Sequence, residues 1–224
     1  MQNICNAMAT VLGIDEAGRG PLIGPLVICG LLIEEGDEKE LVNLKVKDSK
    51  LLTPIQRDRI YKDLIKLYQY KVIRIPPAEI DAAVGKDTTN LNWLEAEKAV
   101  EIINEMKPDK VILDCPSPNI KAYTNFINHR VAHKIELICA HHADTDYPVV
   151  GAASIIAKVT RDREIDSIRK RIGNNFGSGY MADPKTKDFM HKFWNKYPEI
   201  FRHSWTPFKK FVGNFKQKSL ESFD

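Results

Sequence analysis

Asp15 and Glu16 stand side by side at the end of an apolar run, Val11–Asp15, inside the stretch "GIDEAGRGPLIGP". Asp114 ends another such run, Lys110–Leu113, and Asp144 or Asp146 follows a third, Lys134–Ala140, within "HHADTDYP". Open α/β sheets place ligand sites at the C-terminal ends of their strands. Carboxylates gathered there repel one another unless a proton or a cation intervenes. Hard oxygen donors without thiolates select Mg²⁺ or Mn²⁺. A pair of such ions activates water and steadies the leaving oxygen, as phosphodiester hydrolysis requires. Any single Asp at a strand end has a plainer reading as a loop cap, so the case rests on the set. Asp162, among the arginines of "VTRDRE", reads as an ion-pair partner. His141 and His142 are adjacent, and their side chains diverge on a strand, so they read as loop residues near the site.

The elements that must hold these acids follow from the apolar pattern. Val11–Asp15 and Leu26–Ile33 are strands joined by the turn "GPLIGP". Neighbouring strand residues face opposite ways, so Asp15 and Glu16 aim together only where the strand bends, and Gly18 and Gly20 ease a bend. Thr53-Pro54-Ile55-Gln56 has the form of a capping box and predicts a helix to about Tyr68. Tyr70–Ile75 alternates like a strand before Pro76 and Pro77 break it. "LNWLEAEKAVEIINEMK" after Asn90 is an amphipathic helix, Ile120–Arg130 a further one, and Gly151–Arg171 a long one. A last helix starts at Asp183-Pro184 and runs through Tyr197. The order is that of an α/β core with a helical C-terminal appendage.

The chain of 224 residues is 43% hydrophobic and 28% charged, which suits a globular protein with a sizeable core. No run approaches the roughly 18 apolar residues of a membrane helix, and the N-terminus lacks the basic start of a signal peptide. Cys5, Cys29, Cys115 and Cys139 show no metal-ligand spacing, which places the protein in a reducing, cytoplasmic setting. Residues 1–157 carry 18 Lys+Arg against 22 Asp+Glu, and residues 158–224 carry 15 against 8, so the halves stand at −4 and +7. This asymmetry suits a basic surface for a polyanion beside an acidic cluster.

The blocks "GIDEAGRGPLIGPLV", "KDSKLLT", "HHADTDYPVVGAASIIAKVTRDREI" and "GSGYMADPKT", in order between Val11 and Trp205, resemble ribonuclease HII, the type 2 ribonuclease H, in its archaeal form. The resemblance implies an RNase H-like fold, with a mixed five-stranded sheet flanked by helices. It implies a catalytic domain over residues 1–173, a helical subdomain over 174–216 and a flexible tail over 217–224. The activity implied is cleavage of the RNA strand of RNA–DNA hybrids and nicking 5′ of ribonucleotides embedded in duplex DNA, with two Mg²⁺ or Mn²⁺ ions. The catalytic and metal-binding quartet falls on Asp15, Glu16, Asp114 and Asp144, the alanine before Asp144 deciding against Asp146. Gly18, Arg19 and Gly20 correspond to the element that reads the ribose 2′-hydroxyl. Tyr180 corresponds to the tyrosine that stacks on the following deoxyribose, and Lys47 and Lys50 to phosphate contacts. Cys115 stands where serine or alanine is expected and reads as packing.

Lys158, Arg161 and Arg163 read as a group extending the basic surface. Gln217, Leu220 and Phe223 follow the Qxx-aliphatic-xx-aromatic pattern of peptides that dock on sliding clamps, with Asp224 in place of a second aromatic. A monomer is expected. Two rivals remain on these residues: a nucleic-acid-binding module with structural acids, and a resolvase-like nuclease of the same superfamily.

Overall fold

Runs that are apolar on both faces must be covered on both faces, and two of them form the middle of the sheet. β1 (Thr10–Ala17) and β2 (Leu26–Glu34) pair antiparallel, from Thr10 opposite Glu34 to Ala17 opposite Val27. A 3₁₀ turn over Glu35–Asp37 and α1 (Glu38–Asn43) follow, then α2 (Pro54–Leu67), β3 (Gln69–Ile75), α3 (Pro77–Val84) and α4 (Leu91–Met106). Next come β4 (Lys110–Asp114), α5 (Ile120–Asn128), β5 (Glu136–Ala140), α6 (Ala143–Asp146) and α7 (Pro148–Ile172). The chain closes with α8 (Pro184–Phe193), a 3₁₀ turn over Pro198–Ile200 and α9 (Thr206–Glu221). The sheet has five strands in the order β3-β2-β1-β4-β5, with β4 parallel to β1 and β5 parallel to β4. This computed structural model describes residues 8–46, 52–85 and 89–221, the last seven in their backbone alone.

The chain gathers into two compact units, and neither follows sequence order. The first combines Met1–Ala17, Val27–Ile73 and Asn92–Thr160; the second combines Gly18–Leu26, Arg74–Leu91 and Arg161–Asp224. The expected division at residue 173 does not coincide with this arrangement.

In the first unit, the period of two in β1 decides which neighbour each residue meets. Val11 and Ala17 share a core with Val149, Val150, Ala153 and Ile156 of α7. Leu12 faces the other way, toward Gly30 and the α4 residues Ile102 and Met106. Gly13 admits the first turn of α7: a Cβ there would lie 2.4 Å from the Val149 carbonyl oxygen. The Thr53 cap forms as expected, with the Gln56 N–H donating to Thr53 Oγ1 at 3.3 Å and the Thr53 N–H to Gln56 Oε1 at 2.8 Å.

The second unit is built on an aromatic cluster of Phe176, Phe189, Phe201 and Phe208 with Leu22, Ile23 and Ile165. A single β-bridge joins Ile23 to Phe201. Asp183 caps α8 by accepting from the Lys185 N–H at 2.9 Å.

Several boundaries differ from the sequence reading. α3 forms where Pro76 and Pro77 were expected only to break a strand, because proline at the first helical position lacks an N–H that would have no partner anyway. α5 stops at Asn128, β5 starts at Glu136, α7 starts at Pro148 and α8 stops at Phe193, short of Tyr197. α9 carries its backbone to Glu221, five residues into the segment expected as a tail.

Candidate active site

Asp15 and Asp114 lie on neighbouring parallel strands, one position beyond the pair Ile14–Leu113; Asp114 ends β4, whereas β1 continues two residues past Asp15 to Ala17. Asp15 is 5% exposed. As an odd-numbered residue of β1 it faces α7, where the Ser154 hydroxyl donates to its carboxylate. Lys158, four residues along the helix, donates in turn to Ser154 Oγ. Burial pushes the Asp15 carboxyl up to about 6; Ser154 and the Lys158 ammonium pull against that rise, and the charge of Asp114 adds to it. Asp15 Oδ1 also accepts from the Glu16 N–H at 2.7 Å.

Asp114 is fixed from its own side, its Oδ1 accepting from the Ala143 N–H at 2.7 Å. That bond ties the end of β4 to the turn that carries Asp144. Asp144 is 5% exposed, whereas Asp146 on the same turn is exposed. His142 begins this turn in the left-handed conformation at φ 59°, and His141 Nδ1 lies 2.9 Å from the Cys115 carbonyl oxygen.

Glu16 is the exception within the quartet. β1 stays regular to Ala17, so Glu16 is turned to the α4–α5 face, where burial raises the Tyr123 hydroxyl and the charges of Glu95 and Glu16 add to that rise. The bend that would have aimed it with Asp15 does not occur within the strand. Among the described residues, no three His, Cys, Asp or Glu side chains converge closely enough to hold a metal ion. The donors nevertheless suit a hard divalent cation by type. Burial pushes the Cys29 thiol up, so it stays protonated opposite Asp15, and the donors left are carboxylate oxygens. A cation is also what would let Asp15 ionise beside Asp114.

The second unit holds the other predicted group. Gly18 takes φ 87°, and a Cβ there would meet the Arg161 stem at 2.4 Å, so only glycine suits this position. Arg161 is therefore not part of a basic surface: at 7% exposed it lies under the turn, with Nη2 donating to the Ser178 carbonyl at 3.4 Å and Cζ 5.4 Å from the Tyr180 ring centre. Arg163 is exposed, and Asp162 stands 3.9 Å from Arg161 Nη1. Gly20 is exposed beside the Tyr180 ring, which is itself 40% exposed. The Tyr180 loop is set by Asp183, which accepts from the Ser178 N–H at 2.7 Å, and by Gly179, whose carbonyl accepts from the Leu22 N–H at 2.8 Å.

Sequence reasoning missed Ser154, Arg202 and Trp205. The spacing of four between Ser154 and Lys158 is a visible helical pair, but nothing in it names Asp15. Lys47, Lys50 and Phe223 lie outside the described residues, and Gln217 and Leu220 contribute only backbone to α9.

A sheet in the order 3-2-1-4-5, with β2 antiparallel to β1 and with β4 and β5 running parallel to β1, has the ribonuclease H-like fold. The ribonuclease HII family model matches residues 12–208. A ribonuclease HII of Pyrococcus abyssi is 40% identical over 216 residues, 94% of each chain. The crystal structure of ribonuclease H2 from Pyrococcus horikoshii OT3 superposes with a TM-score of 0.84 at 41% identity, covering 92% of this chain and 99% of that one. The PCNA:RNase HII complex from Archaeoglobus fulgidus gives 0.81 at 34% identity, covering 88% and 95%. This chain belongs to the ribonuclease HII family.

Proposed function

We propose that this endonuclease hydrolyses the RNA strand of RNA–DNA hybrids and nicks duplex DNA on the 5′ side of an embedded ribonucleotide, leaving 3′-hydroxyl and 5′-phosphate ends. The observation that carries the chemistry is the buried Asp15 of β1 beside Asp114 at the end of the adjacent parallel strand β4. Asp15, Asp114 and Asp144 are the residues that would hold two Mg²⁺ or Mn²⁺ ions, and Glu16 would join them by swinging its longer side chain round the end of β1 from the α4–α5 face. When bound, the ions supply Lewis acidity to the scissile phosphate and lower the pKa of the attacking water.

The protein's own part is orientation. Ser154 holds one face of Asp15 under the charge of Lys158, and the Ala143 N–H holds Asp114. Gly18-Arg19-Gly20 follows the acids directly in the chain, and glycine lets the backbone approach a sugar closely. The 2′-hydroxyl is the group that separates RNA from DNA there. Tyr180 offers an exposed ring to the next deoxyribose, and Lys47 and Lys50 meet phosphates. The C-terminal Gln217, Leu220 and Phe223 dock on a sliding clamp, a reading supported by the Archaeoglobus relative solved with PCNA. The protein acts as a monomer in the reducing interior of the cell.

The test is a DNA duplex carrying one ribonucleotide, incubated with Mg²⁺ or Mn²⁺. The wild type nicks 5′ of the ribonucleotide, and Asp144→Asn loses roughly 10³-fold or more in rate, on the scale of several kcal/mol. A wild type that binds this duplex and a continuous hybrid but cuts neither with either metal makes the chain a binding module and ends the proposal.

A further inference from the structure

Three consecutive carbonyl groups of one turn are each met by a side chain from a single short stretch, Arg202–Trp205. The fully buried Arg202 donates from Nη2 to the Gly18 carbonyl at 2.6 Å and from Nη1 to the Arg19 carbonyl at 2.8 Å. Its Nε and Nη2 also reach the Gly24 carbonyl, at 3.1 and 3.0 Å. The Trp205 indole N–H donates to the Gly20 carbonyl at 3.2 Å, and its ring lies 4.9 Å from the Arg202 guanidinium carbon. A buried guanidinium costs several kcal/mol unless its donors are met. Here the carbonyls of the Gly18–Gly24 segment meet them.

The stretch that carries these side chains is itself anchored. The Asp81 carboxylate accepts from the His203 N–H at 2.8 Å, the Ser204 N–H at 2.8 Å and the Ser204 hydroxyl at 2.6 Å. The Arg202 N–H donates to the Leu22 carbonyl at 2.9 Å.

A trans peptide unit points its C=O and its N–H in opposite directions, and the described residues contain no cis bond. Holding the Gly18 and Arg19 carbonyls toward Arg202 therefore turns the next N–H groups, of Arg19 and Gly20, the other way. Because both carbonyls reach the same guanidinium, the two N–H groups follow one another on the side away from it. Successive N–H groups of this kind form a concave donor pair suited to an electron-rich oxygen.

We infer that Arg202 and Trp205 are positioning residues for ribose selectivity: Arg202 holds the Gly18 and Arg19 carbonyls inward and so keeps the N–H pair of Arg19 and Gly20 aimed at a sugar hydroxyl, while Trp205 pins the Gly20 carbonyl, at the Pro21 end of the turn, and lies against the guanidinium. They act through the backbone of Gly18–Gly20 and touch no substrate. The inference rests on the reading of this turn as the ribose sensor.

The experiment compares Trp205→Phe and Arg202→Lys with the wild type, using the full chain with Mg²⁺ or Mn²⁺. The readout is kcat/KM on a duplex with one ribonucleotide divided by kcat/KM on a continuous hybrid, with thermal unfolding measured alongside. A partly unfolded enzyme loses both rates alike and keeps the ratio. A poorly held turn loses the ratio, because a continuous hybrid offers a ribose in every register and a single ribonucleotide only one. Trp205→Phe keeps the ring against Arg202 and removes one hydrogen bond, so the ratio falls about 3- to 5-fold, as expected for one neutral bond. Arg202→Lys loses the fork and the ratio falls by about tenfold or more. An unchanged ratio in Trp205→Phe overturns the inference, even where Arg202→Lys does not fold. A wild type that cuts the hybrid but never the single-ribonucleotide duplex overturns the sensor reading beneath it.

Discussion

Asp15 is held against its own preference. Its carboxyl keeps a proton to about pH 6 in the folded chain, against an ordinary value of 3.8, because burial disfavours the charge. The folded state thus binds this proton more tightly than the unfolded one. The contribution to stability is fully present below about pH 4 and lost as the pH rises through 6. Without metal, Asp15→Asn should unfold several degrees higher than the wild type at pH 7.5, an effect of up to about 3 kcal/mol. The two should converge below pH 4, and calorimetry across that range checks the sign. With Mg²⁺ the order should narrow, because the cation stabilises the carboxylate that asparagine lacks. Gly18 carries a different constraint, its backbone at φ 87° with the Arg161 stem against it. Gly18→Ala should cost about 1–3 kcal/mol from the backbone alone and depress cleavage at single ribonucleotides more than hybrid cleavage, which paired kinetics will show.

α7 is the element that brings Ser154 and Lys158 to Asp15, and it can do so only because Gly13 leaves room for its first turn. Gly13→Ala would push a methyl group to within 2.4 Å of the Val149 carbonyl. The helix must shift or the strand must yield, and a loss of about 1–3 kcal/mol together with weakened cleavage is expected from overpacking at that contact. Denaturant unfolding and hybrid cleavage read the two parts. Thr53→Ala, by contrast, removes the α2 cap and should cost only about 1 kcal/mol with cleavage unchanged. Those elements were legible because buried strands are apolar runs and α2 announces its cap in four residues. Asp114 closes β4 as a charge after an apolar run should, whereas β1, expected to stop at Asp15, continues to Ala17. The direction of Glu16 was not legible, because it depends on whether β1 bends, and the strand stays regular. Nor was Arg202 visible: an arginine in a basic C-terminal segment looks like surface, and its partners lie near the other end of the chain. α3 was hidden by a rule applied to the wrong side of the prolines, which end a strand and begin a helix at once.

The charge asymmetry of the chain, with 15 basic against 8 acidic residues from 158 to 224, belongs to the molecule as a whole. Hybrid affinity should fall roughly 10- to 100-fold between 50 and 200 mM salt as phosphate counterions are released, measurable by fluorescence anisotropy with Ca²⁺ in place of the active metal. Removing residues 217–224 should leave hybrid cleavage intact and abolish co-elution with a sliding clamp. The order of the two compact units along the chain has a consequence for how the molecule is made. Arg202 reaches Gly18 and Gly24 across 184 and 178 positions of sequence. On the ribosome, all four acids are therefore translated before the side chain that sets the turn exists. A chain that stops between Asp144 and Arg202 carries the four acids without the side chain that holds the Gly18 and Gly24 carbonyls, so the turn near the N-terminus takes its final form only after the C-terminal segment has been made.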